Sequence, residues 1–294
     1  MYINDLPNSS NLLNFRLFAD DTKIYFSHPN LNEIQNVIDS EIPKISDWLA
    51  ANKLSPNLTK TKFVLFKNPN KIENIQLNVV LANSQIERAM FAKHLGVIFD
   101  SDMSWKSQCK SISLKISRAV GILFKLKNYA NIRILRNVYF SILFCHLNYG
   151  ILSWGAACPT HINPIQVKQN LFLKVMYKLD MMYNTNRLYF NYRYLKINEI
   201  YHNKCLRFIH LLYSNLLPSA FDNFLTPADS IHSHNTRYAS EGNFRVDVTH
   251  NNYGLKSPSF VGNRLWSQIP FQSKAFEPIR FKRFIFRFLL SRYG

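Results

Sequence analysis

Asp20 and Asp21 are the residues of this chain best suited to chemistry. They stand side by side in the run Leu17-Phe18-Ala19-Asp20-Asp21-Thr22. Adjacent carboxylates repel each other. At the edge of a low-dielectric site, a bound divalent cation would relieve that repulsion. Aspartate is a hard oxygen ligand suited to Mg²⁺, usually with phosphate oxygens completing the shell. A two-metal clamp on an in-line phosphoryl transfer needs carboxylates of this kind. The plain alternative is an ordinary polar turn, since turns tolerate Asp. Other constellations are weaker. His202, Cys205 and His210 have nearly ligand-like spacing, as do His232 and His234. No second Cys pair completes a zinc site, and Cys109, Cys145, Cys158 and Cys205 form no C-x-x-C spacing.

The charge distribution points to a polyanionic partner. The 294 residues carry 36 Lys plus Arg against 18 Asp plus Glu, a net charge of +18. Residues 1–102 hold 10 basic and 11 acidic residues, and the remainder holds 26 and 7. Residues 103–179 contain 11 basic residues and no carboxylate. A solvated structural face mixes both signs, whereas a long one-sign segment reads as a surface for nucleic acid. An acidic membrane surface is the other polyanion that composition allows. Apolar residues make up 47% and charged residues 18%, which excludes disorder for most of the chain. Eight Gly and 12 Pro exclude collagen-like character.

Those groups need elements to hold them. Phe15 to Phe18 and Lys23 to Phe26 read as two strands with Asp20-Asp21-Thr22 at the tip between them. Leu31, Ile34, Ile38, Ile42, Ile45 and Leu49 recur at helical spacing, with Pro43 expected to kink or split the helix. Strand-like runs follow at Phe63 to Phe66, Ile75 to Leu81 and His94 to Phe99, with a turn at Asn83-Ser84. Residues 1–102 thus read as a mixed sheet with one helix on its face. Beyond Trp105 the period becomes helical. Ile112, Ile116, Ala119, Val120 and Leu123 form one stripe, and Lys106, Lys110, Lys115, Arg118 and Lys125 fall off it. Further helices are expected from Ile132 to His146, with Arg133 and Arg136 exposed, and from Pro164 to Leu179, with Lys168, Lys174 and Lys178. Residues 183–278 read as Asn-, Tyr- and His-rich loops with short elements. Phe281 to Leu290 reads as an amphipathic basic helix docked on its own domain, with a membrane surface or a partner as alternatives.

From Asn137 to Val167 the chain has no charged side chain, but His146, Asn148, Gly150, Gly155 and Pro159 interrupt it. A buried helix and loop are expected there rather than a membrane span. The opening Met1-Tyr2-Ile3-Asn4-Asp5 carries no secretory signal pattern. With the cysteine usage, this suits an intracellular protein, cytoplasmic or nuclear.

Tyr2-Ile3-Asn4-Asp5-Leu6-Pro7, followed by the Phe18-Ala19-Asp20-Asp21 block, resembles the palm of reverse transcriptases from non-LTR retrotransposons, notably the jockey-like group. The downstream order is also similar. Trp48, Asn52-Lys53-Leu54-Ser55 and Lys60-Thr61-Lys62 resemble the family's next motif. Leu95-Gly96-Val97, Asp100 and Trp105 resemble the hairpin that holds the primer end. Leu147-Asn148-Tyr149-Gly150-Ile151 and Trp154-Gly155 resemble the thumb region. His234 to Arg237, Gly262 to Trp266, Ile269-Pro270 and the closing Phe-Lys helix resemble the tail.

The resemblance implies an α+β fold. Residues 1–102 would be a partial polymerase palm of antiparallel hairpins with a packed helix. Residues 103–182 would be a helical basic thumb, and 183–294 a mixed C-terminal region. It implies an RNA-directed DNA polymerase using Mg²⁺, an RNA template, a DNA primer and dNTPs. Asp20 would ligate the catalytic metals and Asp21 would support or share that ligation. Lys60 would steer or protonate the leaving pyrophosphate, with a plain surface lysine as the alternative. Gly96 would let backbone approach the primer strand, with a β-bulge glycine as the alternative. Lys106, Lys110, Lys115, Arg118, Lys125 and Lys127 would grip template–primer phosphates.

A palm polymerase also needs a third Asp, fingers, and a Pro-Gln-Gly turn before the Tyr-Ile-Asn-Asp block. This sequence shows none of them. Two expectations follow: the back part of a polymerase, inactive alone, for which an N-terminal palm and fingers segment is missing; or a non-catalytic nucleic-acid-binding remnant of a mobile element.

Overall fold

The computed structural model describes residues 3–67, 77–230, 236–246, 248–249 and 251–294. The chain divides into two compact units, Met1–Ser104 and Trp105–Gly294.

The first unit mixes hairpins with one long helix. β1 (Asn14–Phe18) and β2 (Asp21–Tyr25) pair antiparallel, with Phe15 opposite Ile24 and Phe18 opposite Asp21. Burial alternates along β1, with Phe15 inside and Asn14, Arg16 and Phe18 outside, as a half-buried strand requires. α1 (Leu31–Ala51) opens on Asn30, whose side chain accepts the Asn32 amide. Its Ile45 joins Leu6, Leu13 and Phe15 in a small core that also takes in Leu17, Ile42, Trp48 and Leu49. The stripe read from the sequence is therefore the face that buries.

Three details differ from expectation. Of the two outcomes expected at Pro43, a split does not occur: α1 runs unbroken across it. A proline removes one backbone hydrogen bond, and the apolar stripe continues on both sides. Among the described residues, the strands form not one mixed sheet but four two-stranded pieces. β3 (Lys62–Phe63) pairs parallel with β6 (Glu87–Arg88), and β4 (Val80–Leu81) pairs antiparallel with β5 (Ser84–Gln85). The turn between β4 and β5 is Ala82-Asn83, both with positive φ. The expected strand from Ile75 starts outside the described residues. Finally, His94 to Phe99 is not one strand. It spans the turn joining β7 (Phe91–His94) to β8 (Val97–Asp100), where Leu95 and Gly96 both take positive φ.

One buried charge ties this unit together. Glu41 accepts from Ser10 Oγ at 2.6 Å and pairs with Lys44 at 2.6 Å. The Lys44 ammonium and the Ser10 hydroxyl hold its carboxyl below the usual range.

The second unit is helical: α2 (Lys106–Leu126), α3 (Ile132–Val138), α4 (Cys145–Asn148), α5 (Ile151–Trp154), α6 (Pro159–Met176), α7 (Thr185–Tyr192), α8 (Ile197–Tyr213), α9 (Arg237–Ser240), α10 (Asn252–Leu255), α11 (Pro258–Trp266), α12 (Phe271–Lys274) and α13 (Pro278–Leu290). A π-helical stretch, Tyr139–Phe144, joins α3 to α4. One core runs from Cys109 to Tyr293. α2 packs on α6, while α5, α11 and α13 pack on α8. No helix among the described residues is long and apolar enough to cross a membrane. Asn137 to Val167 forms the π stretch, α4, α5 and the first half of α6, as a buried helix and loop would.

Residues 183–278 are not mainly loops, because α8 is a 17-residue helix at the centre of the core. Asn198, Tyr201, His202, Asn203 and Cys205 are modest helix formers, and burial of Ile197, Ile200, Leu206 and Ile209 overrides that preference. α13 buries Phe281, Ile285 and Leu289 against this unit, as its amphipathic pattern predicts.

Candidate functional site

The carboxylate pair sits where the hairpin turns. The register Phe18 to Asp21 leaves a two-residue loop, Ala19-Asp20. The tip is therefore one residue earlier than expected, and Asp21 is the first residue of β2. Ala19 takes φ 51°, a left-handed conformation that a Cβ makes costly. Both carboxylates are exposed. Their chemistry suits a hard divalent cation such as Mg²⁺. Among the described residues, however, no third His, Cys, Asp or Glu gathers with them. The donor type fits Mg²⁺, which one or two carboxylates hold together with phosphate oxygens and water; the pair falls short of the further carboxylate that a two-metal clamp needs.

Lys60 lies in the same unit, in a turn held by Asn57, whose carbonyl and side-chain oxygens accept the Lys60 amide at 3.1 and 3.2 Å. Gly96 is a hairpin-turn glycine, not a bulge. A two-residue loop with positive φ at both positions favours glycine in one of them, as Leu95-Gly96 has. Its φ of 82° is thus fully explained by the turn.

In the second unit, α2 presents the cations. Ile112, Ile116, Ala119, Val120 and Leu123 are all buried. Lys106, Lys110, Lys115, Arg118 and Lys125 are exposed, and Lys127 is half-buried with its ammonium 4.8 Å from the Phe124 ring. Lys106, Lys110, Arg118 and Lys125 fall on the helical face away from the buried stripe. From first to last they extend over roughly 30 Å at 1.5 Å per residue. Residues 103–179 hold no carboxylate. Exposed aromatic and aliphatic side chains lie among the cations: Leu114, Ile122, Phe124 and Tyr129. Arg136, on α3, stacks over Phe140 and Tyr194 at 5.9 and 5.4 Å.

Two cations of α6 have structural duties instead. Lys168 donates to the Ser113 carbonyl and hydroxyl, stapling α6 to α2. Lys174 is buried and donates to the Met181 carbonyl. Their positions in a basic run gave no sign of this, because burial depends on α2 and on the turn after α6. The suggested zinc triad does not assemble: no metal-binding group of three forms among the described residues. Cys205 is buried in the core, and His210 bonds the Phe276 carbonyl at 2.8 Å and stacks on Phe281. His232 and His234 lie outside the described residues.

No protein-family model matches the chain, and no solved structure matches it. The chain is 24% identical over 156 residues to a probable RNA-directed DNA polymerase from transposon X-element of Drosophila melanogaster. That match covers 52% of this chain and 17% of the fly protein, so the chain spans less than a fifth of its relative's length. The similarity supports a reverse-transcriptase-like relationship for this chain.

Proposed function

We propose that this chain is part of an RNA-directed DNA polymerase of a mobile element, of the non-LTR type. The observation that carries the reading is the similarity to a transposon polymerase over 156 residues. The first unit would be the back of the palm. The helical region to residue 182 would be the thumb, and the remainder a C-terminal region built on the same core. In the complete enzyme, Mg²⁺ would supply charge neutralisation for in-line nucleotidyl transfer. Asp20 would ligate it and Asp21 would support that ligation, while Lys60 would face the leaving pyrophosphate. The face of α2, with Lys106, Lys110, Lys115, Arg118, Lys125 and Lys127, would hold the template–primer backbone without reading sequence. RNA template, DNA primer and dNTPs are the proposed partners of the full enzyme, inside the cell.

Two carboxylates do not complete a two-metal site, so polymerisation would need a further carboxylate beyond those described. The 294-residue chain alone would then bind template–primer without extending it. The same shortfall favours a second reading, in which nucleic-acid binding is the surviving activity of an element remnant.

Primer extension on an RNA template, run with the pure chain and Mg²⁺, tests this. The expected result is retention of the RNA–DNA hybrid with no dNTP incorporation. Incorporation abolished by Asp20→Ala would overturn the proposed inactivity. Failure to retain the hybrid at low salt would remove both readings.

A further inference from the structure

A cavity of about 410 Å³ opens in the second unit, between α8, α11 and the C-terminal turn. One side carries two cations, Arg264 of α11 and Arg292, beside His202 of α8, and none of the described lining residues is acidic. The opposite character comes from Leu255, Phe260 and Leu265, which give it an apolar wall with one aromatic ring. Arg292 is held in place: it donates to Gln268 Oε1 at 3.1 Å and lies 5.3 Å over the Phe288 ring. The Nδ1 atom of His202 is buried without a hydrogen-bond partner. Burial, reinforced by the Arg292 charge, pushes His202 down to about 4, so its ring is neutral near pH 7 and carries one N–H donor. With that ring neutral, Arg264 and Arg292 carry the charge of the described lining.

We propose that this cavity binds a nucleoside phosphate. The phosphate would take charge-assisted hydrogen bonds from Arg264 and Arg292, the arrangement for which guanidinium groups are suited. The base would lie against Phe260 and Leu255, a contact that any base can make. The volume falls within the range of small-ligand pockets. None of these residues belongs to the carboxylate hairpin or to α2, so the site stands or falls independently of the proposed polymerase role. The ligand is either a free nucleotide or the phosphorylated end of a nucleic-acid strand, and both offer the same group.

Calorimetric titration of the full chain distinguishes these. The probes are adenosine 5′-monophosphate, adenosine, and a short DNA oligonucleotide with a 5′-phosphate or a 5′-hydroxyl. The monophosphate should bind at least about tenfold tighter than adenosine, the usual scale for hydrogen bonds to a charged group. Arg264→Gln and Arg292→Gln should each weaken it by about tenfold, and Arg88→Gln, at an exposed arginine of the first unit, should leave it unchanged. Arg264 and Arg292 are both exposed, so the variants should keep the fold. Arg264→Gln alone decides the matter if Arg292→Gln melts early. Preference for the phosphorylated oligonucleotide over the monophosphate, lost in Arg264→Gln, would identify a strand end; the reverse order would identify a free nucleotide. Equal binding of adenosine and its monophosphate, or equal weakening in Arg88→Gln and Arg264→Gln, would overturn the site.

Discussion

At the scale of single residues, the chain separates charges that face water from charges the fold consumes. Lys274 is 1% exposed. Its ammonium bonds the Glu241 carbonyl and Asn243 Oδ1 and lies 5.2 Å from the Trp266 ring. Burial pushes its pKa down to about 8. Composition alone would count it toward a nucleic-acid surface, as it would Lys168 and Lys174. The hairpin that carries Asp20 and Asp21 was legible because two apolar strand-like runs flank a short polar step. The cavity lined by His202, Arg264 and Arg292 was not, because its residues come from separated parts of the chain. His202 also gives a pH prediction. Its folded value of about 4 lies below the ordinary histidine value of 6.5. Between those values the unfolded chain takes up a proton that the fold refuses. Stability of the second unit should therefore be full above pH 6.5 and fall as the pH drops toward 4. Thermal melting of the wild type and His202→Phe across that window checks this, and the variant should show the shallower loss.

At the scale of elements, periodicity was reliable where burial follows one face. α2 and α13 bury the stripes that their sequences display. α1 shows how packing outweighs a local breaker, since Pro43 sits inside an intact helix. The short strands were harder. Four two-stranded pieces give little alternation to read, and the turn at Leu95-Gly96 lies inside what looks like one apolar run. The Tyr149 to Gly155 block has a packing explanation. Gly150 starts α5 with φ 59°, and Trp154 donates its indole N–H to the Tyr149 carbonyl at 2.9 Å. A Cβ on Gly155 would sit 2.5 Å from Tyr201 Cδ2 and 2.6 Å from the Ile151 carbonyl oxygen. The second is backbone of α5 itself, and the first is a ring of α8 that is buried in the core. Gly155→Ala should therefore push α5 off α8 and destabilise the second unit by about 1–3 kcal/mol, the usual cost of overpacking. Denaturant unfolding would measure it, and a neutral result would mean that α5 and α8 are looser than this packing requires.

At the scale of the whole molecule, composition showed where the basic residues concentrate and was silent about their arrangement. The excess of basic residues after residue 102 lies in a helical unit with one core, and α2 gives part of it a continuous exposed face. That one core reaches from α2 to the last turn, which loops and short elements read from Asn-, Tyr- and His-rich sequence did not anticipate. The central claim is that the α2 face holds a nucleic-acid backbone. Fluorescence anisotropy of a labelled RNA–DNA hybrid, titrated with the full chain between about 50 and 200 mM salt, tests it most directly. Replacing Lys110, Arg118 and Lys125 together by glutamine should weaken binding and reduce the slope of log affinity against log salt by about 3, one for each phosphate no longer neutralised. An unchanged slope in that triple variant, or no binding by the wild type at the lowest salt, would contradict the claim.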